Sequence, residues 1–428
     1  MRGGKLIGTG SSSCVFLPNI PCKTNGNISQ NRVTKLLYHH DSKNLSKHEK
    51  KQSDLIKKIN GYKDWGIVYD EFCEAPKPII VNNLDPEGFI ECFGDNSDSN
   101  PYGYAELLTS DYGGETLKLI FREMFVNKSS SDLILNFKDL IKMCEPLFLG
   151  LKEMDSSNIV HNDIKTINIV KSDNKFKYID FGLANKASNI KHFRERSINE
   201  ASTSRLYYYY PLEYIYFFME RGKLETEMIM NIRYRRNYNI LKDIYAMFDY
   251  NIDDVCLDLL DKLNSSHYKI KDIIKKIDVY SLGIQIPVLF YENGLFHIFK
   301  SNNPIVYDFF ELFKKMINPN LDERLTAKQS YEEYVLLMKK HSIVGSQKKN
   351  TPVKKVVEKK TTLRTTLGSQ KTPVKKKTRP KKSKKKTRPK KSKKKATPKK
   401  SKKKATPRRD TRRRRARNKK ETRKKRRV

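Results

Sequence analysis

The sequence lacks the features of a secreted or membrane-spanning protein. After Met1 it enters a glycine-rich segment instead of an apolar run, which predicts that no signal peptide is present. Its most apolar stretch, Ile284 to Phe299, is shorter than a bilayer requires and contains Pro287, so it predicts a buried helix. These absences predict a protein that is intracellular, is not secreted and does not bind membranes.

Closely spaced cysteines are also missing. The six cysteines are scattered, and no two form a C-x-x-C pair. This pattern is typical of reduced thiols in an intracellular compartment and does not indicate a zinc site. We therefore expect metal-free, unpaired thiols at Cys14, Cys22, Cys73, Cys92, Cys144 and Cys256.

Acidic residues are nearly absent from the last fifth of the chain. Residues 346–428 hold 42 of the 88 lysines and arginines but only three of the 48 acidic residues. The first 345 residues therefore carry a net charge of +1, although the whole chain carries +40. Any argument from positive charge to function concerns this C-terminal segment alone.

The basic segment contains four nine-residue copies at 375–410, each with a proline: KKKTRPKKS, KKKTRPKKS, KKKATPKKS and KKKATPRRD. Such a composition cannot bury a core, which predicts a disordered tail over residues 342–428. Polycations bind phosphate backbones by counterion release, so nucleic acid or another polyanion is the expected partner. Nuclear targeting is compatible with this prediction, and a solubilising tail that binds acidic partners non-specifically is the alternative.

The first 341 residues divide into a β-rich and an α-rich region. Short strands are predicted at 5–7, 14–16, 32–38, 88–93 and 103–108, with a helix at 44–60. Apolar residues recur at helical spacing from Leu133 to Asp155 and again from about 224 to 340. We predict an α+β fold with an N-terminal lobe at 1–106, a hinge at 107–116 and a C-terminal lobe at 117–341.

The most specific motif runs from Ile159 to Val170 and contains Asp163, Lys165 and Asn168. Asp180-Phe181-Gly182 follows twelve residues after Asn168. Together these segments resemble the catalytic loop and the metal-binding Asp-Phe-Gly motif of eukaryotic-type protein kinases. The resemblance implies a two-lobed protein-kinase fold that uses ATP and Mg²⁺.

Phosphoryl transfer depends mainly on positioning and on neutralising charge, which explains these residue types. In the resemblance, Asp163 orients the substrate hydroxyl, and Lys165 offsets charge on the transferred group. Asn168 and Asp180 supply the hard oxygen ligands that Mg²⁺ requires. Lys165 is also typical of serine/threonine specificity in this family.

A glycine-rich segment resembles the kinase loop that covers the nucleotide phosphates, with Ser13 in place of the third glycine. Its candidate ATP-binding residues are Ile7, Gly8, Thr9, Gly10, Ser11, Ser12, Ser13, Cys14 and Val15. Lys35, on the strand that follows, resembles the lysine that holds the α- and β-phosphates. Glu49 is the candidate acid that pairs with Lys35, although Gln52 lies one turn nearer to the expected position.

Further markers follow in family order, so the resemblance covers about residues 4–340. Glu213 in Tyr-Pro-Leu-Glu, Asp278 and Arg324 resemble structural residues of the large lobe, and Glu213 and Arg324 are expected to form a buried ion pair. A helical insertion is predicted at about 219–275, because Glu213 and Asp278 are unusually far apart. Asn162 stands where most regulated kinases have an arginine that binds an activation-loop phosphate, which predicts activity without that phosphate.

The composition and the Tyr-Pro-Leu-Glu variant resemble serine/threonine kinases of giant, mimivirus-like DNA viruses, which implies a nucleus, viral factory or virion as the location. The favoured hypothesis is an ATP-dependent serine/threonine protein kinase whose tail binds nucleic acid. The first alternative is a catalytically inactive kinase fold that binds or condenses nucleic acid. A kinase of small molecules with a similar fold is the second.

Overall fold

The computed structural model describes eight ranges of the chain: residues 4–10, 13–22, 26–37, 41–76, 86–93, 104–202, 207–218 and 238–343. The chain divides into two units, 1–351 and 352–428, and the described residues all belong to the first. Ser11, Ser12, part of the predicted insertion (219–237) and the tail beyond residue 343 lie outside the described residues.

A five-stranded antiparallel sheet forms the N-terminal lobe. Its strands are β1 (Lys5–Thr9), β2 (Ser13–Leu17), β3 (Arg32–Leu37), β4 (Glu71–Pro76) and β5 (Tyr104–Asp111), in the order β1-β2-β3-β5-β4. The first two strands form the hairpin that the sequence predicts on either side of the glycine-rich turn. Helix α1 (Ser42–Ile56) packs against β3 and β5 and ends slightly before the predicted position.

Residues 88–93 do not form the predicted strand but lie within helix α2 (Pro86–Phe93). A short apolar run does not distinguish a strand from a buried helix by periodicity, and Pro86 is favourable in the first turn of a helix. The helix contributes Cys92 to a small apolar cluster with Cys14, Phe16, Leu36 and Leu107 of the sheet. Tertiary packing therefore decided the structure of this segment.

The expectation of six unpaired thiols is wrong for four of the cysteines. Disulfides join Cys14 to Cys92 and Cys22 to Cys73, with Cα–Cα distances of 6.0 Å and 5.9 Å. The paired cysteines are 78 and 51 residues apart in the chain, so no local spacing could reveal them. Only the folding of β2, β4 and α2 around one apolar cluster brings them together.

Helices dominate the C-terminal lobe, as predicted. They are α3 (Leu117–Phe125), α4 (Ser130–Met143), α5 (Glu145–Ser156), α6 (Ile190–Ser202), α7 (Leu212–Tyr216), α8 (Tyr238–Met247), α9 (Ile252–Asn264), α10 (Ile270–Glu292), α11 (Pro304–Met316) and α12 (Ala327–Lys340). Short strands β6 (Ile159–Val160) and β9 (Asn185–Lys186) pair with each other, as do β7 (Ile169–Ser172) and β8 (Lys175–Tyr178). Thus α8 and α9 occupy the described part of the predicted insertion.

The predicted helical stretch Leu133–Asp155 is divided between α4 and α5. Pro146 lies in the first turn of α5, where its missing N–H and its ring cost little, whereas both are unfavourable in the interior of a helix. Helix α10 is buried from Ile277 to Phe290 and forms the centre of the large core. The buried helix predicted over Ile284–Phe299 is therefore confirmed as far as Glu292, and a separate 3-10 turn follows at Phe296–Lys300. None of the described helices is long and apolar enough to cross a bilayer.

Strand β5 extends into the predicted hinge, because residues 107–111 continue its pairing with β3 as far as Arg32 and Asp111. The connection between the lobes is therefore shorter than the predicted 107–116. It contains Gly113 and Gly114, and Gly114 has a φ of +84°. A Cβ on Gly114 would lie 2.2 Å from the carbonyl oxygen of Lys171, so close approach to the large lobe requires glycine here.

Candidate active site

One row of side chains crosses the sheet beneath the glycine-rich hairpin. Val15 on β2 is paired with Lys35 on β3, which in turn is paired with Leu108 on β5. Directly opposed residues project from the same face of a sheet, so these three side chains share one face. The sheet thus presents two apolar side chains and one cation beside the turn at Gly8 and Gly10.

Lys35 connects the sheet to α1 and to the Asp-Phe-Gly segment. Its Nζ lies 2.7 Å from Glu49 Oε1 and 3.2 Å from Asp180 Oδ1. The Lys35 and Glu49 side chains are each only 12% exposed, so their attraction is weakly screened by water. Gln52 does not take this position, and its amide lies 3.4 Å from the ring nitrogen of His48.

The catalytic-loop residues meet at the Asp163 carboxylate. Lys165 Nζ donates to Asp163 Oδ2 at 2.8 Å, and Asn168 Nδ2 donates to the same oxygen at 2.9 Å. Asn168 also donates to the Asp163 carbonyl at 3.0 Å, which fixes its side chain. The other oxygen, Oδ1, is buried and has no hydrogen-bond partner among the described residues, so it is an acceptor still able to take a donor.

Asp278 on α10 holds the backbone that precedes Asp163. Its two carboxylate oxygens accept from the amides of His161, at 2.6 Å, and Asn162, at 2.9 Å. Asn162 has a φ of +62°, in the left-handed region that few non-glycine residues adopt. Asparagine is among the residue types that tolerate a left-handed φ best, and the two hydrogen bonds to Asp278 stabilise this turn.

The Asp-Phe-Gly segment is held by an aromatic cluster. Phe181 is buried against His161 (ring centroids 4.7 Å apart) and Trp65 (6.4 Å). The His48 ring nitrogen on α1 lies 2.9 Å from the Gly182 carbonyl oxygen. With Phe181 directed into the core, the carboxylate of the preceding Asp180, itself at φ +58°, reaches Lys35.

The charges in this cleft are strongly coupled. Burial by itself would lower the pKa of Lys35, but nearby Tyr69, Asp180 and Glu49 outweigh it and hold the pKa of Lys35 well above its usual range. Burial likewise opposes ionisation of Asp180, yet Lys35 and Lys165 keep the pKa of Asp180 below its ordinary value. Burial dominates at Asp163, where it raises the pKa although Lys165 opposes the shift.

The donors at Asn168 and Asp180 fit a hard divalent cation such as Mg²⁺. The Ile179 amide donates to the Asn168 carbonyl at 3.0 Å, which brings Asn168 beside the residue that precedes Asp180. The Asp180 side chain remains 37% exposed, so it is accessible from the cleft. An amide and a carboxylate are the oxygen donors that Mg²⁺ prefers in proteins.

Room for phosphates is left at Gly8. Among the described residues, a Cβ on Gly8 would meet only the Val15 Cβ, at 3.9 Å, so their packing does not require glycine there. A ligand that approaches the backbone closely gives a physical reason for the missing side chain. The turn itself is closed by the Gly10 amide, which donates to the Ser13 carbonyl at 2.7 Å.

The candidate structural residues also lie together. Arg324 Nη1 donates to Glu213 Oε1 at 2.5 Å, and both side chains are almost completely buried. We call the stretch from Asp180 to Glu213 the activation segment, by its resemblance to that of kinases. The ion pair connects α7, at the end of this segment, with the loop before α12. Glu213, Asp278 and Arg324 therefore brace the large lobe outside the cleft.

Three side chains around the cleft were not among the candidates from the sequence: His48, Tyr69 and Arg196. Tyr69 lies beside Lys35, with the ammonium 5.7 Å from the ring centroid. Arg196, on α6, contacts the Tyr210 hydroxyl at 3.2 Å. Neither Tyr69 nor Arg196 belongs to a motif, whereas His48 lies four residues before Gln52, a spacing that places both on one face of α1.

Comparison with protein families agrees with this geometry. Residues 24–218 match the family model described as protein tyrosine and serine/threonine kinase. The match includes Lys35, Glu49, the catalytic loop, Asp180 and Glu213, but it does not distinguish serine/threonine from tyrosine specificity. No curated protein matches the chain significantly. The fold is that of a protein-kinase domain, with a β-rich N-terminal lobe and a helical C-terminal lobe, and the family match covers residues 24–218 of the chain.

Proposed function

We propose that this chain is an ATP- and Mg²⁺-dependent protein kinase that phosphorylates serine and threonine. The observation that carries the proposal is the convergence of Lys35, Asp163, Asn168 and Asp180 on one cleft. An inactive kinase fold would have no need to keep Lys35 paired with Glu49 and directed at Asp180. The arrangement therefore favours catalysis over the alternative of an inert scaffold.

Each residue has a distinct part in transfer to a hydroxyl. Asp163 Oδ1, an acceptor without a partner, would take the proton of the attacking hydroxyl or orient it. Lys165, already 2.8 Å from Asp163, would neutralise charge on the moving phosphoryl group. Lys35 would hold the α- and β-phosphates of ATP, with Glu49 fixing its ammonium group.

Asn168 and Asp180 are the residues that would hold Mg²⁺. The cation, when bound, supplies neutralisation of the phosphate oxygens during transfer. Val15 and Leu108 would contact the adenine from the sheet, since they share the face of Lys35. Serine/threonine specificity is supported by Lys165 in the catalytic loop.

We further propose that the tail binds nucleic acid without sequence preference. Its support is the charge: residues 346–428 carry a net +39 and no aromatic residue, so phosphate contacts dominate and base stacking contributes little. The tail would concentrate the enzyme on nucleic acid or on substrates bound to it. Nuclear, viral-factory and virion locations are all compatible with this proposal.

The decisive experiment measures transfer of radiolabel from ATP to histone and to casein. The wild type, Asp180→Asn and a chain ending at residue 345 are compared, followed by phosphoamino-acid analysis of the products. We expect phosphoserine and phosphothreonine with the wild type and the truncated chain, and none with Asp180→Asn. Equal incorporation by Asp180→Asn would indicate a contaminant, and phosphotyrosine alone would contradict the specificity.

The tail is tested separately by a mobility shift with a random-sequence DNA duplex. The full chain should bind with an affinity that falls steeply as salt is raised, whereas the chain ending at 345 should not bind. Undiminished binding by the shortened chain would contradict the proposed role of the tail.

A further inference from the structure

Two hydrogen bonds connect helix α6 to the catalytic loop. Arg196 Nε, on α6, donates to the Tyr210 hydroxyl at 3.2 Å, and that hydroxyl donates to the Asn162 carbonyl at 2.8 Å. Asn162 immediately precedes Asp163, the candidate base. The activation segment and the catalytic loop are thus joined by side chains of this chain itself.

The Arg196 guanidinium is held on several sides. Nη2 lies 2.8 Å from Glu200 Oε1, one turn further along α6, and the guanidinium carbon lies 5.5 Å from the Tyr210 ring centroid. Glu200 is only 4% exposed at its side chain, so this pair is poorly screened. A planar guanidinium with an ion pair, a hydrogen bond and a ring contact has a fixed orientation.

Helix α6 is itself anchored to the segment that follows it. Ser197 Oγ donates to the Tyr214 carbonyl at 2.7 Å, and the Tyr214 hydroxyl donates to the Phe193 carbonyl at 3.2 Å. At the start of α6, the His192 ring nitrogen lies 3.0 Å from the Leu183 carbonyl oxygen. These contacts hold α6, and with it Arg196, against the segments on either side of the helix.

The two hydrogen bonds from Arg196 through Tyr210 to Asn162 form a relay. It ends at the Asn162 carbonyl, which belongs to a constrained backbone turn. Asn162 has a left-handed φ of +62°, a conformation that persists where the surroundings over-determine it. Asp278 holds its amide, and Tyr210 holds its carbonyl.

We propose that Arg196 is a positioning residue for phosphoryl transfer, which acts through Tyr210 to hold Asn162 and Asp163 in their active geometry. Arg196 thereby provides from α6 the cation that the catalytic loop lacks at Asn162, and no phosphate on the activation segment is needed. This inference rests on the proposed kinase function.

The test compares Arg196→Gln with Arg194→Gln in the full chain. Arg194 lies on the same helix but is exposed, so its substitution removes the same charge without touching the relay. We expect Arg196→Gln to lower kcat by roughly 10- to 100-fold, the scale of a small misplacement of a catalytic group. The KM for ATP should stay near the wild-type value, the Tm should fall because Glu200 loses its ion pair with Arg196, and Arg194→Gln should match the wild type throughout.

Three further measurements separate positioning from a general structural role. Tyr210→Phe, which removes only the hydroxyl, should reproduce the kcat defect, and the double variant should be no worse than either single one. Arg196→Lys should recover part of kcat. Wild-type enzyme treated with a phosphatase, which is then removed, should retain its activity.

Wild-type kcat in Arg196→Gln, additive losses in the double variant, or inactivity after phosphatase treatment would each overturn the proposal. If Arg196→Gln fails to fold, the kcat of Tyr210→Phe decides whether the proposal holds, because the phenylalanine ring still fills the space of the tyrosine ring. An inactive wild type would instead refute the kinase function, and this inference would fall with it.

Discussion

Burial determines how strongly the charged residues of the cleft interact. Lys35 and Glu49 are largely shielded from water and meet at 2.7 Å, so their interaction orients the ammonium group far better than a surface pair would. The sequence predicted Lys35 from its strand and its place after the glycine-rich loop. It left Glu49 and Gln52 as alternatives, because the register of a helix against a sheet is not a local property.

The first prediction concerns Glu49. Glu49→Gln should lower kcat/KM by roughly 30-fold, since loss of a charge-assisted hydrogen bond costs about 2 kcal/mol. Steady-state kinetics with ATP as the varied substrate measure the effect. Asp54→Asn is the control, because Asp54 pairs with Lys50 on the exposed side of the same helix. Equal activity of Glu49→Gln and Asp54→Asn would show that the pair has no catalytic role.

At the scale of elements, α2 and the two disulfides, of which one involves Cys92 of α2, form the least predictable part of the N-terminal lobe. The helix covers the face of the sheet opposite to Lys35, where Phe16, Leu36 and Leu107 are buried. The apolar run at 88–93 does not by itself distinguish a helix from a strand. The pairing of Cys14 with Cys92 depends on contacts between segments that are distant in the sequence. By contrast, the β1–β2 hairpin and the helices of the large lobe follow from local alternation and periodicity.

The second prediction is that two disulfides form in the purified protein. Alkylation under denaturing, non-reducing conditions followed by mass spectrometry should modify two of the six cysteines, and all six after reduction. Cys14→Ser combined with Cys92→Ser should lower the free energy of unfolding by about 2–4 kcal/mol without reductant. Addition of a dithiol such as dithiothreitol should remove most of this difference. Six alkylated cysteines before reduction would contradict the pairing.

The third prediction concerns the contact between α11 and the end of α12. Burial opposes ionisation of Asp308, but Lys340 and His341, each with a nitrogen 2.6 Å from its carboxylate, hold the pKa of Asp308 below its usual value. A depressed carboxyl pKa stabilises the fold above the unfolded-state pKa of about 4 and loses this effect as the pH falls further.

Asp308→Asn should therefore lower the Tm at pH 7, and the difference from the wild type should shrink as the pH is lowered below about 4. Glu332→Gln, which removes an exposed partner of Lys328 on α12, should show little change at any pH. A difference in Tm for Asp308→Asn that grows towards acidic pH would contradict the assigned direction.

Across the whole molecule, the buried Glu213–Arg324 pair and Asp278 connect the activation segment, the catalytic loop and the C-terminal helices. The family order of the motifs anticipated these residues, although the distance from Glu213 to Asp278 along the chain is long. The described part of this interval folds as α8 and α9 and packs on the large core. The cleft chemistry and its support therefore belong to one folded unit.

The fourth prediction concerns the buried ion pair between Glu213 and Arg324. Arg324→Met should lower the free energy of unfolding by about 3–5 kcal/mol, because it leaves Glu213 as an uncompensated buried charge. Urea unfolding measures the effect, and adding Glu213→Gln to Arg324→Met should recover part of the loss. Lys315→Gln breaks the exposed pair with Glu333 and should cost less than about 1 kcal/mol. Equal effects of the Arg324 and Lys315 substitutions would show that the buried pair is not structural.

The sequence by itself determined the fold class and the distribution of charge along the chain, and it predicted the kind of chemistry. The spacing of Asp163, Asn168 and Asp180, the change from β to α periodicity and the segregated positive charge are all local properties, legible without a fold. Only the tertiary structure decided that Glu49 pairs with Lys35, that residues 86–93 are a helix, that four cysteines form disulfides and that Arg196 contacts Tyr210. Each of these outcomes depends on which distant segments share a buried environment, because burial and close approach, not local propensity, set their free energies.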